Sequence, residues 1–260
     1  MKKHGVLIIG HGSSNASWVQ LVDDAVSRLE VSVPVAACFL EMVEGRLIED
    51  GIRALENQGV ERIIAVPLFV ASGSTHIDEI GCLLGVYDKT QLDEEFEKIE
   101  TSAEILYCSP MDDHPLIEEI LLERIRQLSI DPSEEVLLLV GHGADEGEYH
   151  AKWEGVLQRL AVSMRTRAGF KGVTYGTLHP DNLSKRARAI TRKNRTVVLP
   201  LFLSEGYFTK KVIPSRLEGL EYLYNGQTYL PHPFVTQWMQ DVIERQLMQE
   251  KKLLKERVSV

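Results

Sequence analysis

This chain writes the same turn twice, and that repetition narrows its possible folds more than any other feature. "VLIIGHGSS" spans residues 6–14 and "VLLLVGHGAD" spans residues 136–145, each an apolar run that leads into Gly-His-Gly. One histidine at the mouth of a hydrophobic run is compatible with simple packing. Two in one chain point to a duplicated unit, and a repeat is the first thing to settle in reading a fold.

Aligning the two turns brings the rest of the chain into register. His11 is followed by Trp18 in "WVQLVDDAVSRL" and His142 by Trp153 in "WEGVLQRLAVSM". "VPVAACFLE" then matches "GVTYGTLHP", and "GRLIEDGIRALENQG", closed by Gly59 as a helix C-cap, matches "NLSKRARAITRKN". "RIIAVPLFVASG" (62–73) matches "RTVVLPLFLSEG" (195–206), and each copy finishes on a His-Pro that opens a last helix, His114-Pro115 and His232-Pro233. Each copy therefore reads strand, helix, strand, helix, strand, loop with a helix, strand, helix. Short β-branched runs alternating with helical periods predict an α/β fold with two similar domains, each a parallel sheet flanked by helices on both faces. The expected boundaries are 1–131 and 132–260, joined through "LSIDPSEE" (128–135) with Pro132 as the break.

Composition excludes several classes. The 260 residues carry a net charge of −9, which argues against bulk nucleic-acid binding. The charge is uneven: residues 1–131 hold 10 Lys and Arg against 24 Asp and Glu, and residues 132–260 hold 19 against 14. An acidic half and a basic half suit a cationic ligand and a polyanionic one. Much of this charge, as in "LDEEFEKIE" (92–100), reads as solvated helix surface. No apolar stretch has the length of a membrane helix, and the run after "MKKHG" is too short for a secretory signal, so a cytoplasmic protein without membrane contact is expected. Cys38, Cys82 and Cys108 form no C-x-x-C and read as reduced, buried thiols.

Ligands of open parallel sheets bind at the carboxyl ends of the strands. In the first copy that edge receives Gly10-His11-Gly12 with Ser13, Glu41 after the second strand, and His76 in the loop after the third. Two imidazoles and a carboxylate suit a divalent first-row metal or an acid–base set. Glu41 has three readings: ligand, proton acceptor or helix-capping carboxylate. Asp78 and Glu79 read as charges at a helix start, Glu79 also as a second-layer partner, and Ser13 as a turn residue or N-cap. The second copy keeps His142, puts His179 where Glu41 stands, and replaces the His76 region with Gly206-Tyr207-Phe208-Thr209-Lys210-Lys211. It reads as a degenerate repeat turned binding surface. Tyr207 and Phe208 would stack on a flat ring, and Lys210, Lys211 and Arg216 would pair with carboxylates.

These residues resemble the class II chelatases, the sirohydrochlorin cobaltochelatases and ferrochelatases. The likeness is carried by strand-GHGS at 6–13, "FLEMVEGRL" at 39–47 and "VPLFVASGSTHIDEI" at 66–80, echoed by "GHGAD" and "LPLFLSEGYFTKKVIP". The resemblance implies a cleft between the two domains that holds a metal-free tetrapyrrole while Co2+ or Fe2+, with Ni2+ also open, is inserted. It implies active-site histidines at His11 and His76, both ligating metal, and a carboxylate at Glu41. Gly10, Gly12, Ser13, Tyr207, Phe208, Lys210, Lys211 and His142 are the residues expected to bind substrate. No cofactor is expected beyond the metal that serves as substrate, and a monomer is expected because the fused copies supply both walls of the cleft. One departure is that "HIDEIG" places His76 three residues before Glu79 and has no proline after Ile80.

Other chemistries fit less well. A histidine phosphatase needs Arg immediately before its histidine, where this chain has Gly10. An α/β hydrolase needs G-x-S-x-G, and nucleotide-binding glycine motifs do not occur. A non-catalytic metal or tetrapyrrole carrier would use the same residues and differ only in releasing its ligand unmetallated.

Overall fold

A computed structural model describes residues 2–88, 95–145 and 147–258, and their side chains except those of 251 and 253–258. The chain divides into two compact units. Unit 1 comprises Met1–Phe69, His76–Pro110 and Val235–Val260, and unit 2 comprises Val70–Thr75 and Met111–Phe234.

In unit 1 the strands are β1 (His4–Gly10), β2 (Val35–Phe39), β3 (Arg62–Pro67) and β4 (Glu104–Tyr107), and its first helices are α1 (Ala16–Ser27), α2 (Ile48–Glu56) and α3 (Thr75–Leu83). All strands are parallel, in the order β2-β1-β3-β4. β1 is central, and its residues from Gly5 to Gly10 are all buried, which is why it reads as a continuous apolar run without alternation. Leu7 and Ile9 join Ile48, Ile52 and Leu55 of α2 and Ile77 and Ile80 of α3 in one core. The helix starts are held locally: the Asn15 side chain accepts the Ser17 N–H, and Ser13 Oγ accepts the Asn15 N–H. Ser13 is thus a turn residue, and Asn15 is the cap. Gly59 lies at φ +77, as a C-cap requires. The acidic stretch 92–100 departs from the helix expected of it. Residues 92–94 lie outside the described residues, and 95–100 form no helix. There the Ile99 N–H donates to the Leu83 carbonyl and the Ile99 side chain packs on the core, which pins the backbone outside a helix.

Unit 2 begins with α4 (Pro115–Leu128), followed by β5 (Glu135–Gly143), α5 (Gly147–Ala168), β6 (Gly172–His179), α6 (Leu183–Thr191), β7 (Arg195–Pro200) and α7 (Ile213–Arg216). Its parallel sheet has the order β6-β5-β7. Leu138 and Val140 of β5 pack with Leu183 and Ala187 of α6, Ile213 of α7 and Leu217 just after it, while α5 buries Trp153, Leu157 and Leu160. A fourth strand is expected here and is reduced to a single parallel bridge between Val197 and Leu223. His114 and His232 act as structural caps, accepting the Leu116 and Phe234 N–H groups.

The units do not coincide with the expected halves 1–131 and 132–260. The last helix of the first copy, α4, lies in unit 2 against α5 and β7. The last helix of the chain, α8 (Pro233–Val258), lies from Val235 onward in unit 1, where Thr236 Oγ1 donates to the Ala25 carbonyl. The "LSIDPSEE" segment is part of unit 2: Asp131 caps a short 3-10 turn at Pro132–Glu134, and buried Glu135 takes hydrogen bonds from Ser129 and Ile130 and an ion pair from Arg195. Cys38, Cys82 and Cys108 are free and buried, and among the described residues no helix is long and apolar enough to cross a membrane.

Candidate functional site

The carboxyl edge of the unit 1 sheet is built by register. Gly10, the last residue of β1, pairs with Phe39, the last of β2, so the two chains leave the sheet side by side. The Glu41 N–H then donates to the His11 carbonyl at 3.0 Å. Gly12 sits at φ +104, and a Cβ there would lie 1.9 Å from the Glu41 carbonyl oxygen. Only glycine allows this approach. Gly10 is buried beneath Phe39 and Trp18, where a Cβ would come within 3.2 Å of the Phe39 ring. Phe39 is covered by the Arg46 guanidinium, 4.8 Å above its ring, and Arg46 is held by two hydrogen bonds to Asp23.

On this support His11 and His76 come together, with ring centroids 4.6 Å apart and planes at 79°. Both side chains are 35% exposed, so solvent and a ligand reach them. His11 Nδ1 lies 3.1 Å from the Gly12 carbonyl oxygen. A carbonyl only accepts, so this contact puts a proton on Nδ1, and in the neutral ring Nε2 then carries the lone pair. His76 Nδ1 lies 2.7 Å from Glu79 Oε2, a contact within the first turn of α3 that in the neutral ring likewise leaves the lone pair on Nε2. Glu41 is 47% exposed, and its Oε1 stands 3.6 Å from His11 Nε2. That is too long for a direct hydrogen bond. Two acceptors face each other there, an arrangement that attracts a proton or a cation. The contact offers Glu41 as an acceptor beside His11, and α2 is capped by Asp50, whose carboxylate accepts the Leu47 N–H. Among the described residues no group of three or more His, Cys, Asp or Glu could hold a metal, so the expected set of two imidazoles and a carboxylate does not form one. Two imidazoles remain.

The equivalent edge of unit 2 follows the same plan. Gly143 pairs with His179, lies at φ +79, and would put a Cβ 1.9 Å from the His179 carbonyl oxygen. His142 Nδ1 is 2.9 Å from the Gly143 carbonyl oxygen, and the His142 and His179 rings stack at 4.9 Å and 29°. Phe208 meets His142 edge to face at 4.9 Å. Tyr207 is 71% exposed. The expected cations are partly engaged: Lys210 pairs with Glu205 at 3.1 Å and Arg216 with Asp181 at 2.6 Å, while Lys211 is exposed.

Three participants escape a reading of the sequence. Phe69 sets its ring 6.5 Å from His11 and 6.1 Å from His76, and Phe202 stands 6.5 Å from His142. Their matched positions in "PLFVASG" and "PLFLSEG" were the available signal. Asp145, with Oδ2 3.4 Å from His179 Nδ1, had none.

A family model described as CbiX matches residues 5–128 and, a second time, residues 136–250. The sirohydrochlorin ferrochelatase of Priestia megaterium is 28% identical over 221 residues, covering 80% of this chain and 76% of that protein. The sirohydrochlorin cobaltochelatase of Methanothermobacter thermautotrophicus is 32% identical over 132 residues, 48% of this chain and 92% of that protein. Among solved structures, SirB from Bacillus subtilis with Fe3+ superposes with a TM-score of 0.70 at 18% identity, over 93% of this chain and 94% of that one. CbiX of siroheme biosynthesis in denitrifying bacteria does so at 0.63 and 19% identity, over 93% and 98%. These two are likenesses of fold.

Proposed function

The chain belongs to the CbiX family, and we propose that it inserts a divalent metal, Co2+ or Fe2+, into sirohydrochlorin. The observation that carries this reading is the pair of imidazoles in unit 1. They arrive from separate segments, His11 after β1 and His76 in the first turn of α3, lie 4.6 Å apart, and set Nδ1 within hydrogen-bonding distance of the Gly12 carbonyl and the Glu79 carboxylate. Both Nε2 lone pairs are thereby left for chemistry.

Insertion exchanges two pyrrole N–H protons for one M2+, so the reaction consumes a metal ion and a free macrocycle and releases two protons. A neutral imidazole can ligate the ion and can take a proton near neutral pH. In this reading His11 and His76 hold the ion through Nε2 and accept the pyrrole protons as the macrocycle nitrogens replace them. Glu41, half-exposed beside His11 Nε2, passes protons to solvent. Two protein ligands suit a metal in transit: a closed set of three or four would hold it against the macrocycle. Tyr207, Phe208 and the exposed Lys211 are assigned to the flat, carboxylate-bearing substrate.

The test is to add sirohydrochlorin with Co2+, Fe2+ or Ni2+ separately and follow the absorption change on metallation. Turnover beyond one equivalent is expected, with His11→Ala and His76→Ala each abolishing it while circular dichroism stays unchanged. Stoichiometric binding without metallation would replace the reading with a carrier, and undiminished rates in both variants would remove the mechanism.

A further inference from the structure

We propose that Tyr107 is a positioning residue for His76: its hydroxyl ties the first turn of α3 to the end of β4 and so holds the His76 ring in place beside His11. This role rests on the reading of His76 as metal ligand and proton acceptor, and Tyr107 acts only through it.

The Tyr107 hydroxyl donates to the Ile77 carbonyl at 2.8 Å, one residue beyond His76. The donor comes from a fixed point. Tyr107 is the last residue of β4, in register with Ala65 of β3, and the next N–H, that of Cys108, donates to the Ala65 carbonyl at 2.9 Å. The Tyr107 ring packs on the unit 1 core and meets Tyr87 edge to face at 6.1 Å. Burial foremost, with Tyr87 and Asp78 nearby, pushes the phenol above its ordinary range, so the hydroxyl stays protonated and donates across neutral pH.

The start of α3 gains a constraint here that its apolar packing lacks. Ile77 and Ile80 are buried in the core, which sets the rotation of the helix about its axis. His76 and Glu79, each one position earlier, share the neighbouring face and meet through Nδ1. Apolar burial is non-directional and leaves the height of the turn along the axis less well defined. A directional hydrogen bond to the Ile77 carbonyl fixes one atom of that turn. Phe69, its ring 6.1 Å from His76, bounds the imidazole on another side. The His76 ring thus takes its rotation from the Ile77 and Ile80 face and its height from Tyr107. A displacement of about 1 Å is enough to spoil a ligand geometry shared with His11.

Tyr107→Phe in the full chain removes the hydroxyl and keeps the ring. Its kcat for Co2+ insertion into sirohydrochlorin is expected to fall about tenfold, with KM for sirohydrochlorin unchanged. Its affinity for Co2+ alone, read from the visible absorption of the bound ion, should fall by about the same factor. Tyr87→Phe, the same change on the neighbouring ring, is expected to alter neither, and circular dichroism should show both variants folded. A hydroxyl with a merely structural role would lower the denaturation midpoint and leave kcat and Co2+ affinity as they were. That result, or an equal loss in Tyr87→Phe, would overturn the assignment. An unaltered chain that binds Co2+ and inserts none removes the insertion reaction, while weaker Co2+ binding in Tyr107→Phe still upholds the tie. Undiminished insertion in Tyr107→Phe removes the tie and leaves the reaction standing.

Discussion

Gly12 and Gly143 carry the tightest local constraint at either sheet edge. Each sits at positive φ, with the carbonyl of Glu41 or His179 where a side chain would begin. Gly12→Ala is expected to push the β1 and β2 exits apart. It should cost more than about 1 kcal/mol in chemical denaturation and remove metal insertion. A different residue contributes to the acid limb. Lys2 and Arg62 together hold the Glu104 carboxyl down at about 2, below its ordinary 4.5. They bind the charged form, so this contribution is in full force above about pH 4.5 and fades as pH falls toward 2. The pair is half-exposed, so the effect is small and salt-sensitive. Denaturation midpoints at pH 7 and pH 3 should differ less in Glu104→Gln than in the unaltered chain.

Among the elements, the two His-Pro helix starts were legible from residue type, whereas the cap of α1 is Asn15 and not the Ser13 that the sequence offered. Asn15→Ala removes the acceptor for the Ser17 N–H and should cost about 1 kcal/mol, read from the denaturation midpoint. The same logic failed at 95–100, where charge pattern suggested a helix face and the Ile99 contacts decided otherwise. It also overstated the second sheet. Leu223 makes two backbone hydrogen bonds to β7, through the Leu223 N–H to Thr196 and the Val198 N–H to Leu223, and its bridge does not extend into a strand. In α8 the apolar face is plain from the spacing of Val235, Trp238, Met239 and Ile243, all at most 1% exposed. Trp238→Ala should cost about 3–5 kcal/mol of stability, measured by circular dichroism in urea.

For the whole molecule the consequential finding is that each copy's last helix belongs to the other unit. Glu250 of α8 binds His4 and Arg62 at the start of β1 and β3, inside unit 1. A chain ended at His232 therefore strips unit 1 of a helix that a cut-off at residue 131 would never have assigned to it. Amide exchange is expected to accelerate across β1 to β4 in that truncation while β5 to β7 stay protected. Equal protection in both sheets would show that α8 contributes little to unit 1.

The duplication, the alternation of parallel strands with helices, and the segments after the strands that carry His11, Glu41, His76, His142 and His179 were legible in the sequence alone. They depend on properties read along the chain: apolar periodicity, β-branching and the turn chemistry of glycine and proline. Tertiary structure alone decided which sheet α4 and α8 cover, because an amphipathic face specifies that it must be buried and not against what. It alone decided how the rings stand, because an imidazole's orientation follows from the acceptor at its Nδ1. Gly12, Glu79, Gly143 and Asp145 take that place only once the backbone has brought them there.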